Sequence, residues 1–185
     1  MICIINFGSN KTPNIFSMVR SLGYQAIVVD GSQTTEIDFE KVEAFILSGA
    51  PVLLTKTNQE PYLTQIAFVK TTNRPVLGIC FGHQLIGMLF GAEVYLGQAV
   101  RTNTFIRVLK EENLFKGLSN NPLLAEDHTE GITLPIGFDR LASSDTYEVE
   151  AMKHQSKNIF GVQFHPEVSG DNGHVLMRNF LNLSK

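Results

Sequence analysis

The amino-acid sequence predicts an α/β fold in which a mostly parallel sheet carries helices on both faces, with a small antiparallel addition at one edge. The first half of the 185-residue chain alternates short, fully apolar segments with segments of helical periodicity, which is typical of parallel strands buried on both faces. From about Glu93 the apolar segments are shorter and are joined by turns, which favours antiparallel strands. No linker, repeat or low-complexity segment is found, so we expect one domain spanning residues 1–185.

Four short apolar strands are predicted in the first half, with helices between them. The strands are Ile2–Phe7, Ala26–Val29, Ala44–Leu47 and Val76–Ile79. The first helix has one apolar face, formed by Ile15, Met18, Val19 and Leu22. Gly23 is expected to end this helix, because glycine readily takes the left-handed conformation of a helix C-terminus. A second helix should begin near Pro61, since proline suits the first helical turn, and a third should span Phe81–Phe90.

The second half is predicted to hold shorter strands, one further buried strand and a closing helix. The shorter strands are Phe105–Leu109, Arg140–Ser144 and Glu148–Met152. Ile159–Phe164 is apolar enough to return to the buried sheet, and His174–Leu183 has the pattern of a closing helix. His128 stands in a polar segment that is predicted to be a loop, from which it could shape a pocket.

Composition and charge argue against several classes of function. The formal net charge is −3 and no basic run is present, so nothing favours nucleic acid as a partner. No apolar stretch is long enough to span a bilayer, and the apolar start of the chain is short and lacks the basic leader of a signal peptide. With only two cysteines, Cys3 and Cys80, no disulfide framework is expected, and a reducing cytoplasm is the expected compartment. Cys3 is expected to be inert packing in the first strand.

Cys80 is the favoured nucleophile because it stands between a predicted strand and a predicted helix. Gly78-Ile79-Cys80-Phe81-Gly82 has the small-x-nucleophile-x-small spacing of a nucleophile elbow. The glycines remove Cβ atoms where strand and helix crowd each other, and the helix N-terminus places N–H groups beside the sulfur. The alternative is a buried strand cysteine without chemistry, which the two flanking glycines disfavour.

His165 is the favoured base, because it follows the predicted strand Ile159–Phe164 directly and should emerge at a sheet edge as Cys80 does. Glu167 lies two residues later, and in an extended segment it faces the same side. Its carboxylate can accept the other N–H of the imidazole and stabilise the imidazolium. The alternative is a turn in which the two residues are incidental. The histidines not favoured as the base are His83, His154 and His174.

A third motif, Ser48-Gly49-Ala50-Pro51, follows the predicted strand Ala44–Leu47. Small residues let backbone N–H groups approach a ligand without an obstructing side chain. The N–H of Gly49 or Ala50, together with that of Phe81, would form an oxyanion hole with two donors.

Taken together, these motifs resemble the class I glutamine amidotransferases. Gly78–Gln84 resembles the cysteine elbow of that family, Gly161–Glu167 resembles its histidine–glutamate motif, and Ser48–Pro51 occupies the position of its oxyanion strand. The resemblance runs from Ile2 to the final helix. It implies the flavodoxin-like fold of the family and hydrolysis of the side-chain amide of L-glutamine through a cysteine thioester. The ammonia would pass to a separate synthase subunit.

The resemblance also implies roles for particular residues. The catalytic triad would be Cys80, His165 and Glu167; the oxyanion hole would be Gly49, Ala50 and Phe81; the substrate would contact Gln84 and His128. No metal or other cofactor is expected on this chain. ATP and magnesium are expected on the partner, a synthase subunit of the ATP-pyrophosphatase type, and neither nucleic acid nor a membrane is expected as a partner.

Within the family, Phe7–Ser9, Leu114–Leu118 and Glu150–His154 look like the GMP synthase branch, whose partner converts XMP to GMP. Two segments depart from the pattern. Ala50 stands where the family usually has a second glycine, and Arg101–Phe105 stands where this branch usually has an Arg-Glu-Tyr-Gly-like segment. The open alternatives are the amidotransferase subunit of anthranilate or aminodeoxychorismate synthase, a stand-alone γ-glutamyl hydrolase, and a binding module that has lost the chemistry.

Overall fold

The predicted α/β architecture is confirmed by a computed structural model, which describes residues 1–184. Its main sheet has eight strands in the order β2–β1–β3–β4–β12–β11–β10–β7. The strands within the described residues are β1 (Ile2–Asn6), β2 (Ala26–Asp30), β3 (Ala44–Leu47), β4 (Val76–Ile79), β5 (Val94–Val100), β6 (Asn103–Phe105), β7 (Arg107–Val108), β8 (Leu123–Ala125), β9 (His128–Ile132), β10 (Phe138–Ser143), β11 (Ala151–His154) and β12 (Ile159–Val162).

The parallel and antiparallel parts of the sheet divide as the sequence predicts. Strands β2, β1, β3, β4 and β12 are parallel to one another. Beyond β12 the sheet continues antiparallel through β11, β10 and β7. Two short antiparallel ribbons, β5 with β9 and β6 with β8, are separate from the main sheet.

Helices cover both faces of the sheet, because the central strands are apolar on both sides. The helices are α1 (Thr12–Ser21), α2 (Glu60–Gln65), α3 (Phe81–Leu89) and α4 (Gly170–Leu181). Ile2 and Ile4 of β1 point to the face where α1 and α4 pack, whereas Cys3 and Ile5 point to the face of α2 and α3. Burial raises the pKa of the Cys3 thiol to about 11, which fits its expected role as packing. None of the helices in residues 1–184 combines the length and hydropathy needed to cross a bilayer.

Two predicted strands of the second half differ from the structure. The predicted strand Phe105–Leu109 is divided at Ile106. Before this residue the chain pairs with β8, and after it the chain pairs with β10. Ile106 is fully buried and its amide donates to the carbonyl of Pro122, so the chain turns inward there. The predicted strand Glu148–Met152 begins only at Ala151, because a bulge in β10 shifts the register of the pair.

His128 was predicted to lie in a loop, and this is wrong. It opens strand β9 and pairs with Val100 of β5. The strand is not recognisable in the sequence, because the polar residues around His128 are buried in a polar cluster and do not alternate with apolar residues. Residues of this strand therefore form a fixed wall of the site described next.

The carboxyl ends of the parallel strands meet at one edge of the sheet, which is where α/β proteins of this kind bind ligands. Cys80 follows β4, Ser48 follows β3, and His165 lies three residues beyond β12. Strand β4 lies between β3 and β12 in the sheet, so these three segments are neighbours in space.

Candidate active site

Cys80 lies in a strained turn that joins β4 to α3. It is the one non-glycine residue among residues 1–184 with a positive φ, at 51°. Residues other than glycine rarely adopt this backbone conformation, which costs about 1–3 kcal/mol and is typical of functional sites. The amide of Cys80 donates to the carbonyl of Val162 at 2.8 Å, which holds the turn against β12. The sulfur-bearing side chain therefore projects from a fixed backbone into the cavity at the sheet edge.

Two glycines make this turn possible. A Cβ on Gly78 would lie 2.5 Å from the carbonyl oxygen of Gly82, and a Cβ on Gly82 would lie 2.5 Å from the carbonyl oxygen of Leu47. Both contacts are with backbone, which cannot give way as a flexible side chain can. The spacing of the elbow motif therefore has a direct steric cause.

We expect Gly82→Ala to reduce the activity that depends on Cys80 by about 100-fold or more, since a displacement of roughly 1 Å at a reacting group has that effect. Gly91→Ala, at the other end of α3, is the matched control, because a Cβ there meets no atom within 4 Å. It strains only the backbone, where φ is +92°. Turnover per folded molecule, measured as release of ammonia from the amide substrate that the resemblance implies, should therefore separate the two variants, and equal activity would contradict the steric role of Gly82.

His165 is held in place by backbone and side-chain contacts. Its amide donates to the carbonyl of Ala125 at 2.8 Å, and the Ser169 hydroxyl donates to its carbonyl at 2.6 Å. Its Nδ1 lies 2.7 Å from Oε1 of Glu167, and both side chains are buried. With Nδ1–H donated to the carboxylate, Nε2 is left to serve the cysteine.

The protonation of His165 depends on Cys80 and Glu167. Burial of the imidazole opposes its protonation, but hydrogen bonds to Cys80 and Glu167 and the negative charge of both raise the pKa of His165 to about 10. A protonated imidazole next to the sulfur is the partner that a thiolate nucleophile needs. The structure thus brings together the three residues predicted as a triad, and their catalytic role remains a prediction.

This pKa predicts how stability depends on pH. The folded state holds the His165 proton up to about pH 10, whereas the unfolded chain releases it near 6.5. The resulting stabilisation is fully present below pH 6.5 and is lost as pH rises through about 10. In urea unfolding over this range, wild type should lose more stability than His165→Gln, which lacks the group. His174→Gln, which removes an exposed histidine, should follow wild type; a parallel decline in wild type and His165→Gln would contradict the shift.

The predicted oxyanion donors lie beside Cys80 and His165. A Cβ on Gly49 would lie 3.3 Å from Cε1 of His165 and 3.8 Å from Cβ of Cys80, so Gly49 sits between the two. Within residues 1–184, the amides of Gly49, Ala50 and Phe81 donate no hydrogen bond. Unpaired backbone N–H groups at this place suit the negative oxygen of a tetrahedral intermediate.

A cavity of about 440 Å³ opens over these residues. Its volume is within the range of small-molecule sites. Predicted site residues that line it are Cys80, His165, Ala50, Phe81, Gln84 and His128. The predicted nucleophile, the predicted base, two of the predicted oxyanion donors and both predicted substrate contacts thus share one cavity.

Gln84 is held tightly by the protein. Its Nε2 donates to the carbonyl of Glu130 at 3.0 Å and to Oε1 of Gln163 at 3.1 Å. Both amide hydrogens are therefore used, and the side-chain carbonyl oxygen is the part left for a ligand. Gln163 was not predicted, and its place just after β12 is the only signal that the sequence offers.

Three charged residues at the cavity mouth were also missed. Lys11 Nζ lies 2.7 Å from Oδ2 of Asp127, and Arg101 Nε lies 3.6 Å from Oδ1 of the same carboxylate. The hydrogen bond from Lys11 is the main cause that lowers the pKa of Asp127. Lys11 could have been suspected, because it follows β1 at the ligand-binding edge. Arg101 and Asp127 lie in the short connections between strands of the separate ribbons, and the sequence does not reveal the position of these ribbons.

Glu130 holds the segment around Leu54 and Thr55 in place beside the cavity. Its buried carboxylate accepts hydrogen bonds from the amides of Leu54 and Thr55, at 2.8 and 2.7 Å. These amides belong to a segment whose neighbours Val52 and Leu53 line the cavity. Since more than 70 residues separate the partners in the chain, local sequence patterns could not indicate the contact.

Comparison with known proteins places the chain among amidotransferases. A family model described as glutamine amidotransferase class-I matches residues 3–183. A protein of Pyrococcus furiosus, named as a subunit of glutamine-hydrolyzing GMP synthase, is 38% identical over 187 residues, covering 99% of this chain and 98% of that protein. A protein of Archaeoglobus fulgidus with the same name is 34% identical over 174 residues, covering 92% and 91%.

Solved structures of similar fold support the same family assignment and fold. A crystal structure from Thermoplasma acidophilum, provisionally described as a subunit of GMP synthase, has a TM-score of 0.90 and 30% identity, covering 99% of this chain and 92% of that one. A glutamine amidotransferase from Thermotoga maritima has a TM-score of 0.77 at 21% identity, covering 90% and 76%, and supports the fold alone.

Proposed function

Because the chain belongs to the class I glutamine amidotransferase family, we propose that it is the glutaminase subunit of a GMP synthase. It hydrolyses the side-chain amide of L-glutamine and supplies the ammonia to a separate synthase subunit. The observation that carries this proposal is the cavity in which Cys80, on its strained turn, meets a histidine that is paired with a buried glutamate. Relatives named as subunits of glutamine-hydrolyzing GMP synthases support the GMP synthase assignment.

The reaction follows from the positions of these groups. The Cys80 sulfur forms a bond to the amide carbon of glutamine, and the carbonyl oxygen takes the negative charge toward the amides of Ala50 and Phe81. His165 gives its proton to the departing nitrogen, and ammonia leaves as the carbon–nitrogen bond breaks. Water then attacks the γ-glutamyl thioester while His165 takes a proton from it, which releases glutamate and restores the thiol pair. Glu167 orients the imidazole throughout.

The charged residues at the cavity mouth suit the head group of a free amino acid. Lys11 and Arg101 can pair with the α-carboxylate of glutamine, and Asp127 can pair with its α-ammonium group. The hydrolysis itself is proposed to need no cofactor on this chain.

We expect Lys11→Met to raise KM for glutamine about 10-fold while changing kcat little, because a charged hydrogen bond to the substrate contributes in both the ground state and the transition state. Steady-state kinetics with ammonia detection would measure the effect. Lys41→Met is the matched control, since Lys41 is exposed and pairs with Asp38 away from the cavity. An unchanged KM for Lys11→Met would exclude it from substrate binding.

The proposed partner is a synthase subunit of the ATP-pyrophosphatase type that binds ATP and magnesium and activates XMP. The purified chain would be mixed with this subunit, XMP, ATP and Mg²⁺, and glutamine-dependent GMP formation would be measured. Parallel mixtures would contain the larger subunits of anthranilate and aminodeoxychorismate synthases. GMP formation that requires this chain and glutamine supports the proposal. Stimulation only by another subunit, or full turnover of γ-glutamyl peptides with no partner, would overturn it.

A further inference from the structure

Behind the cavity wall, three side chains outside the proposed triad face one another. They are Glu126, His128 and Glu150, and each is buried. One ligand atom from each lies within 4.8 Å of the other two. Glu126 lies between β8 and β9 and His128 is the first residue of β9, whereas Glu150 directly precedes β11. The cluster therefore joins the substrate wall to the main sheet.

The polar atoms of this cluster lack partners. Both carboxylate oxygens of Glu126, Oε2 of Glu150 and Nε2 of His128 are shielded from solvent and make no well-formed hydrogen bond within residues 1–184, although the side chains of His128, Glu150 and Thr104 approach Glu126. Nε2 of His128 lies 3.7 Å from Oε1 of Glu126. Leaving several such acceptors buried and unpaired is costly, so the arrangement requires a cation or protons between them.

The surrounding hydrogen bonds point the lone pairs inward. Nδ1 of His128 lies 2.9 Å from the carbonyl oxygen of Glu130, so this nitrogen carries the hydrogen and donates it. Nε2 is then a free lone pair directed at Glu126. The hydroxyl of Ser144 donates to Oε1 of Glu150 at 2.7 Å, which leaves Oε2 facing the cluster. A histidine that donates its other N–H to a carbonyl, and a carboxylate held by a hydroxyl, are the outer partners typical of metal ligands.

We propose that Glu126, His128 and Glu150 bind a divalent transition-metal ion of the zinc type. Two carboxylates balance the charge of one divalent ion, and the imidazole favours a transition metal over magnesium or calcium. Ligands of tetrahedral zinc stand roughly 3.3 Å apart, so ligand atoms that are up to 4.8 Å apart need to draw together by up to about 1.5 Å, and a water can complete the shell.

The charges of the cluster agree with this proposal. Burial and the neighbouring charge of Glu126 raise the pKa of Glu150 to about 9. Two buried carboxylates in this position repel each other, and a bound cation removes the repulsion. The sequence analysis expects no metal on this chain, and no local spacing could indicate this cluster, because its carboxylates come from separate parts of the chain.

The ion would fasten the substrate wall rather than take part in the reaction. His128 lines the cavity, so the proposed metal site borders it, and Asp127 at the cavity mouth lies between two of the proposed ligands in the chain. Holding Glu126 and His128 to Glu150 would fix the position of Asp127 relative to the main sheet.

The test begins from Cys80→Ala, because the thiol and His165 could also bind zinc. This variant would be stripped with a chelator, incubated with Zn²⁺ or Co²⁺ and dialysed, and bound metal would be counted by mass spectrometry. We expect one equivalent, with a cobalt spectrum of nitrogen and oxygen ligands and no thiolate charge-transfer band. Adding Glu126→Gln should weaken binding by more than about 100-fold, beyond the loss typical of outer partners. Adding Glu148→Gln, an exposed carboxylate nearby, should leave binding unchanged.

Several results would overturn the proposal. One is the absence of a retained equivalent in Cys80→Ala, which would mean that only protons fill the cluster. Another is metal binding by wild type that disappears with Cys80, which would place the metal in the catalytic cavity. Equal affinity with and without Glu126→Gln would place the metal outside this cluster. If Glu126→Gln does not fold, Glu150→Gln replaces it, and the metal count on Cys80→Ala still decides. None of these measurements depends on glutaminase activity.

Discussion

Replacing Cys80 with alanine should lower glutamine hydrolysis by about 10⁴-fold or more, because removal of a nucleophile abolishes the covalent route. The fold should persist. The Cys80 side chain lines the cavity, and alanine keeps the Cβ and the backbone hydrogen bond to Val162. Ammonia release measures the loss, and circular dichroism with urea unfolding measures the fold.

The other cysteine provides the control for this experiment. Cys3 is fully buried in β1, away from the cavity, so Cys3→Ala should keep its activity and lose stability through the smaller side chain. A Cys80→Ala protein that is folded and still hydrolyses glutamine would refute the assigned nucleophile.

Replacing His165 should cost more than replacing Glu167. His165→Ala removes the group that moves protons in both steps, and we expect a loss of about 10³-fold or more in kcat. Glu167→Gln keeps a side chain of the same shape that can still accept the Nδ1 hydrogen, but it removes the negative charge. We expect a smaller loss, of about 10- to 100-fold, because the imidazole is less well stabilised when protonated. Initial rates at saturating glutamine would rank the two.

The pH profile distinguishes orientation from general structural damage. Since the charge of Glu167 helps to raise the pKa of His165, Glu167→Gln should shift the alkaline limb of the activity profile to lower pH. His174→Gln, which changes an exposed histidine of α4, should leave both rate and profile unchanged. A loss in Glu167→Gln that equals the loss in His165→Ala, with no shift of the profile, would argue against an orienting carboxylate.

The parallel part of the fold could be predicted because its strands are apolar on both faces. Strands β3 and β4 lie where the sequence indicates, since every residue in them is buried. Strands β5, β8 and β9 were not recognised. β5 is largely exposed, and β9 buries polar side chains, so neither shows the alternation of a half-buried strand.

The residues of the candidate site likewise fall into those that the sequence could predict and those that it could not. Cys80 can be identified from the glycines two residues before and after it, and Glu167 from its place two residues after His165. Both patterns arise from contacts between residues close together in the sequence. Asp127 meets Lys11 across 116 positions of the chain, which no local pattern records. Contacts of this kind depend on how the ribbons fold over the sheet edge, and only the tertiary structure reveals them.

The position of β12 in the sheet has a consequence for biosynthesis. This strand follows every other described strand in the chain, yet it is inserted between β4 and β11. A nascent polypeptide that has emerged only as far as β11 lacks His165 and the carbonyl of Val162 that secures the cysteine turn. We therefore expect that incomplete translation products release no ammonia, and that hydrolytic activity appears only after β12 has inserted into the sheet late in folding.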